Sequence, residues 1–170
     1  RRVAVIAGCR TPFVRSGTVF RDLNAVDLGK ACVRELLERT EVDTACVGAV
    51  VMGQVVASVR APNLAREVGL GAGLPKEVPA HTVNRACASA NQAIVDVAVE
   101  IERGHIDAGI AGGAECLSDV PIPLSRRLAR AARLRPQSTP APRPPGGGSR
   151  FHRARRADPS GVPRQGDHRP

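Results

Sequence analysis

Apolar residues along this chain recur with two different periods, and the switches between them mark out alternating elements. Residues 2–8, RVAVIAG, form a short apolar run ending in glycine, the pattern of a buried strand rather than of a helix. Residues 27–40 carry Leu28, Ala31, Cys32, Leu36 and Leu37 at spacings of three and four among charged positions, which predicts an amphipathic helix with Asn24 or Asp27 as its cap. The valine-rich run CVGAVVMGQVV over 46–56 predicts a second strand. A short helix is expected over 63–68, ended by the glycines between 69 and 73 and by Pro75. Residues 79–83 read as a third strand. Residues 88–103 read as a long helix with Ala93, Ile94, Val97, Ala98 and Ile101 along one side and Gly104 as its C-terminal stop. Residues 107–113, DAGIAGG, supply a fourth strand. Strand and helix alternate at short spacing, so the expected fold class is α/β, with parallel strands covered by helices on both faces. Ligands on such sheets bind at the carboxyl ends of the strands, which directs attention to the strand-to-helix junctions.

Composition divides the chain at about residue 130. The 170 residues carry a net charge of +9, yet residues 1–130 hold 16 basic and 14 acidic side chains, whereas 131–170 hold nine arginines against two aspartates. Eight of the 14 prolines also lie beyond residue 130. A segment so poor in apolar side chains cannot offset its chain entropy by burial, so two parts are expected: a folded domain over 1–130 and a disordered Arg/Pro/Gly-rich tail over 131–170. The abrupt change to residues with GC-rich codons reads as a shift of reading frame. Clustered arginine attracts phosphate, but the chain has no Trp or Tyr and only Phe151 in the tail to stack on a base, so no specific nucleic-acid binding is expected. No run approaches the roughly 18 apolar residues of a membrane span, which leaves no transmembrane segment and a cytoplasmic location as the expectation. Five cysteines at 9, 32, 46, 87 and 116, without CxxC spacing, argue against a disulfide framework and a zinc site, so reduced thiols and no metal are expected.

The junction at 83–90, VNRACASA, holds the strongest candidate for chemistry. Cys87 falls at or beside the first turn of the second long helix, where the macrodipole and free backbone N–H groups stabilise a thiolate. Ala86, Ala88, Ser89 and Ala90 around it are small and leave room for an acyl group. A small buried apolar residue is the commoner role of a cysteine, so local reasoning leaves both readings open. Asn84 is placed to orient the loop or an acyl oxygen, or to satisfy its own turn. Ser89 is placed to cap the helix or bond its backbone. Gly112 and Gly113 are expected to allow close packing near the site, and Glu115 to be an internal hydrogen-bond partner. His81 inside a strand pattern reads as structural or exposed, and Cys9, Cys32, Cys46 and Cys116 read as packing residues.

The longer string VNRACASANQAI resembles the acyl-cysteine segment of the thiolase family. Two more segments agree in order and spacing: RTPFVRSGTVFRDL over 10–23 resembles the N-terminal Arg-Thr-Pro segment, and AGGAECLSDVPIPLSRRLAR over 111–130 the Gly-Gly-x-Glu-x-x-Ser segment. The SANQA and SDVPI wording is similar to the branch formed by the β subunits of the fatty-acid trifunctional enzyme. The resemblance implies an N-terminal thiolase half, a mixed sheet with helices on both faces. It implies cleavage of 3-ketoacyl-CoA by free coenzyme A, or the reverse condensation, in fatty-acid β-oxidation. Cys87 would carry the acyl group as a thioester, with backbone N–H groups beside it holding the thioester oxygen. Coenzyme A would be a co-substrate with no permanently bound cofactor, and the complete protein a homo-oligomer or the partner of another thiolase subunit.

The family's general base, a His in a Gly-His-Pro setting, and its second Cys, in Cys-x-Gly-Gly-Gly, have no counterpart here. GGGS at 146–149 lacks the cysteine, and His152 and His168 sit in Arg- and Pro-rich sequence. The expectation is a chain inactive by itself. Two alternatives stand beside it. One is a non-catalytic partner that binds a thiolase chain through an apolar half-interface. The other is a ketosynthase-type condensing enzyme, against which Arg10-Thr11-Pro12 and Gly112-Gly113-Ala114-Glu115 speak.

Overall fold

A computed structural model of the chain describes residues 1–122 and 125–133. Helix α1 (Ala25–Thr40) begins two residues before the periodic pattern because its start is set by a reciprocal cap. The Asn24 side chain accepts from the Asp27 N–H at 3.1 Å and the Asp27 carboxylate accepts from the Asn24 N–H at 3.2 Å. Replacing Asn24 with alanine is expected to lower the unfolding free energy by about 1 kcal/mol, read from a urea melt.

Strand β1 (Val47–Gly53) is the centre of the sheet and is buried along almost its whole length. Helix α2 (Leu64–Ala72) runs to Gly73, whose φ of 97° makes it the left-handed C-cap. It therefore passes through Gly69 and Gly71, where the sequence pattern ends it. Buried Leu64, Ala65 and Val68 hold this helix on the sheet, and packing outweighs the weak helix propensity of glycine. Strand β2 (Ala80–Val83) and strand β3 (Ala108–Gly113) flank β1, giving the order β2-β1-β3 with both pairings parallel. Helix α3 (Ser89–Glu102) joins them and ends in a Schellman pattern: His105 N–H donates to the Glu100 carbonyl and Gly104 N–H to that of Ile101, both at 3.0 Å.

Side chains alternate across β1 as a strand requires. Val50 and Met52 join Val33 of α1 and Leu64 and Val68 of α2 in one core, while Val51 joins Ala93 and Val97 of α3 in another. The result is the expected three-layer α/β arrangement, with α1 and α2 over one face and α3 over the other.

The expected strand over 2–8 is not formed. The segment makes no ladder, and Val5 and Ile6 are 86% and 90% exposed. An apolar run signals a preference for burial but does not supply a neighbour, and residues 2–8 pair with no edge of the three-stranded sheet. The antiparallel member of a mixed sheet is not among the described residues. Helix α4 (Arg126–Arg133) stands in a separate unit. Ser125 starts it, its hydroxyl accepting from the Leu128 N–H at 3.3 Å. The disordered tail expected over 131–170 is corrected at its start, since residues 131–133 form the last turn of α4, and the rest of it, 134–170, lies outside the described residues.

A candidate active site at the carboxyl ends of the strands

Strands β1, β2 and β3 run parallel, so their carboxyl ends share one edge of the sheet. A cleft of about 810 Å³ opens there, walled by residues 7–16, one face of α1 from Leu28 to Leu36, the ends of β1 and β3, the turn at Ala86–Cys87 and the segment after β3. This is where an α/β sheet is expected to hold a ligand.

Cys87 sits in this cleft with its residue exposed, in the turn between β2 and α3. The turn is tightly built. Ala86, immediately before it, has a φ of 46°, a left-handed conformation that costs a non-glycine residue about 1 kcal/mol. Ser89, buried at the first position of α3, holds that conformation. Its hydroxyl accepts from the Arg85 N–H at 2.8 Å and donates to the Ala86 carbonyl at 2.6 Å. Asn84 fastens the other side: its Oδ1 accepts from the Ala86 N–H at 3.1 Å, and its Nδ2 donates to the Val55 carbonyl at 3.2 Å. Both side chains are thus spent on the backbone that presents the thiol. The two N–H groups directly beyond Cys87 are bonded within the turn, Ala88 N–H donating to the Arg85 carbonyl at 3.0 Å and Ser89 N–H to the Ala86 carbonyl at 3.1 Å, which further stiffens the backbone that presents the thiol.

The sheet approaches this turn with almost no clearance. A Cβ on Gly53, the last residue of β1, would lie 2.3 Å from the Ser89 carbonyl carbon and 2.4 Å from the Ala90 nitrogen. A Cβ on Gly113 would lie 3.0 Å from that of Ala90 and 3.0 Å from the Gly53 carbonyl oxygen, whereas one on Gly112 would meet nothing within 4 Å. Of the glycine pair, Gly113 makes the close approach. Sequence pattern does not single out Gly53, and it reads Ala86 only as a small neighbour of the thiol. A glycine closing a buried valine-rich strand is the one signal that points to the former, and an alanine gives none for a left-handed turn.

Glu115 lies after β3, and its carboxylate accepts from the Val55 N–H at 2.8 Å and the Val56 N–H at 3.3 Å. This fixes the chain leaving β1 and explains why that strand stops at Gly53 while its apolar pattern continues. His81 is exposed in the middle of β2, paired in register with Val51. Cys46 is exposed in the short turn before β1. Cys116 donates its thiol to the Leu23 carbonyl at 3.2 Å. Among the described residues no cluster of three or more His, Cys, Asp or Glu is placed to hold a metal ion. No helix among them is long and apolar enough to cross a membrane.

Cys9 and Cys32 face each other across the wall of the cleft. Burial, and then the neighbouring Cys9 thiol, push the Cys32 thiol up from an ordinary 9.0 to about 11. A folded state that holds this proton more tightly than the unfolded chain loses stability as pH rises, here between about 9 and about 11. Cys32→Ala is expected to flatten that part of a plot of melting temperature against pH.

Residues 3–139 match the model of the thiolase N-terminal domain. The chain is 49% identical over 129 residues to a 3-ketoacyl-CoA thiolase of Colwellia psychrerythraea, covering 76% of this chain and 30% of that one. It is 51% identical over 128 residues to a 3-ketoacyl-CoA thiolase of Vibrio cholerae, covering 75% and 29%. The chain thus spans about 30% of the length of the curated relatives it matches. Among solved structures, the acetyl-CoA acetyltransferase of Bacillus anthracis superposes with a TM-score of 0.63 at 30% identity, over 66% of this chain and 28% of that one. A thiolase of Ascaris suum in complex with coenzyme A gives a TM-score of 0.63 at 27% identity, over 65% and 29%.

Proposed function

Because this chain belongs to the thiolase family and carries its N-terminal domain, we propose that it supplies the acyl-accepting half of a coenzyme A-dependent acyl transfer, with Cys87 as nucleophile. The observation that carries this reading is the position of the Cys87 thiol: exposed, in a strained and doubly fastened turn, at the mouth of the cleft where the strands end. The Cys87 sulfur attacks the 3-carbonyl carbon of a 3-ketoacyl-CoA. The bond between C2 and C3 breaks, and the C2 carbanion leaves and takes up a proton as acetyl-CoA. The thiol of free coenzyme A then attacks the acyl-cysteine and restores the Cys87 thiol. Charge that develops on the acyl oxygen is proposed to be received by backbone N–H donors beside Cys87 other than those of Ala88 and Ser89, which are bonded within the turn. Degradation of fatty acyl chains is the proposed setting, supported by the relatives named 3-ketoacyl-CoA thiolase.

Proton transfer is the missing half. The cleft wall described contains no histidine, and its one carboxylate, Glu115, is committed to backbone amides. A base and a second acid are required, so turnover is proposed to need groups beyond the described residues, and this chain alone is proposed to be inactive. The domain is proposed to span residues 1–130, with 131–170 as an appended tail.

A graft tests the reading. In the Colwellia relative, the matching segment is replaced by the corresponding residues of this chain. The graft enzyme is expected to consume 3-ketoacyl-CoA in the presence of coenzyme A. A graft that folds and melts like its parent but shows no thiolysis would contradict the proposal. The reading as a non-catalytic partner rests on the exposure of Val5, Ile6 and Phe13. Co-elution of this chain with a complete thiolase on size exclusion would support it, and separate elution would remove it.

A further inference from the structure

Outside the Cys87 turn, one pair of thiols is built to react with each other. Cys9 lies on the N-terminal segment and Cys32 on α1, 23 residues apart in sequence, and their sulfurs are 3.5 Å apart. Each thiol also bonds the other residue's backbone: Cys9 Sγ donates to the Cys32 carbonyl at 3.1 Å, and Cys32 Sγ to the Cys9 carbonyl at 3.3 Å. This reciprocal arrangement fixes both side chains in facing orientations. Both residues are half-buried, which leaves them within reach of a small oxidant. No other pair of cysteine sulfurs among the described residues lies this close. An S–S bond is about 2.0 Å long, so closure requires the sulfurs to approach by about 1.5 Å, within reach of small side-chain rotations.

We propose that Cys9 and Cys32 form a reversible disulfide when the protein meets a hydroperoxide, fastening the N-terminal wall of the cleft to α1. Cys9 sits between exposed Gly8 and Arg10 and is the first to react. Its thiol gives up a proton and the sulfur attacks one peroxide oxygen, an S–O bond forms, the O–O bond breaks, and the other oxygen takes that proton and leaves as an alcohol or, from hydrogen peroxide, as water. The Cys32 sulfur then attacks the Cys9 sulfenic acid. The S–S bond forms, the S–O bond breaks, and the hydroxyl leaves with the Cys32 proton as water. Two thiols are oxidised by two electrons and one peroxide is reduced. Burial holds Cys32 protonated, so its proton is given up as the sulfur attacks and departs with the leaving hydroxide, and the close facing of the two sulfurs is what favours this step. The segment tied down includes Arg10, Thr11 and Phe13, which line the same cleft as Cys87, so the bond sets how far that wall opens. This inference does not depend on the acyl-transfer reading.

The test uses the purified 170-residue chain, treated with one equivalent of hydrogen peroxide and mapped by mass spectrometry without reduction. The expected result is a cross-linked pair of peptides containing Cys9 and Cys32, two mass units lighter than the separate peptides, with free thiols falling from five to three. Dithiothreitol is expected to restore all five. In Cys32→Ser, Cys9 is expected to be trapped as a sulfenic acid by dimedone, with no cross-link. Recovery of Cys9 and Cys32 as free thiols, or as separately over-oxidised residues, while other cysteines react would overturn the proposal. Mapping of the unaltered chain decides the question even where a variant fails to fold.

Discussion

Replacing Gly53 with alanine is expected to lower the unfolding free energy by about 3 kcal/mol and to displace the Cys87 turn. The added methyl carbon would stand 2.3 Å from the Ser89 carbonyl carbon, 2.4 Å from the Ala90 nitrogen and 2.7 Å from the Ser89 oxygen. All three are backbone atoms of the first turn of α3, and none can move aside by changing a rotamer. Overpacking of this kind costs 1–3 kcal/mol where side chains relax, and this site falls at or above the top of that range. Either α3 slides along the sheet or the end of β1 bends. Sliding α3 moves Ser89, and Ser89 carries the bonds that hold Arg85 and Ala86. In the graft enzyme the same substitution is therefore expected to reduce turnover about a hundredfold, the cost of a misplacement near 1 Å. Gly112→Ala is the control. Its methyl group enters open space on a neighbouring strand, and it is expected to leave the melting temperature close to the parent value. Equal melting temperatures for the two variants would contradict the close approach of β1 to α3.

Cys87→Ser in the graft enzyme is expected to reduce thiolysis by at least about a thousandfold while leaving the melting temperature close to that of the parent. The two parts of this expectation have separate causes. Serine is nearly the size of cysteine and Cys87 is exposed, so little packing is lost. A hydroxyl, however, is a far weaker nucleophile than a thiolate near neutral pH, and an ester offers a poorer leaving group to the second step. Cys46→Ser removes the other exposed thiol, which lies in a turn before β1. It is expected to leave turnover unchanged. A Cys87→Ser graft that retains more than about a tenth of parental activity would remove Cys87 from the nucleophilic role.

How far the sequence discloses this site depends on whether the physical cause is local. Valine-rich β1 and the helices with three- and four-residue apolar spacing are local signals, and the structure forms them. Cys87 is legible for the same reason, because VNRACASA changes from strand to helix period around it. Glycines 69 and 71 mislead, since local propensity argues for a helix end that burial of Leu64 and Val68 overrules. Residues 2–8 mislead in the opposite direction: their apolar run is strand-like, but a strand needs a neighbour, and this segment pairs with no edge of the sheet. What the sequence hides is long-range. Gly53 matters because of a helix start 36 residues further along. Glu115 matters through amides of residues 55 and 56. Cys9 and Cys32 each read as packing residues until the fold brings their sulfurs together.

The central claim is that the acyl group passes through Cys87. The most direct measurement mixes the graft enzyme with 3-ketoacyl-CoA in the absence of free coenzyme A, quenches in acid, and locates the adduct by peptide mass. The expected result is an acyl group, labile to hydroxylamine, on the peptide that contains Cys87 and on no other. Turnover in a parallel sample with coenzyme A, combined with an unmodified Cys87 peptide or an acyl group on a different residue, would contradict the account.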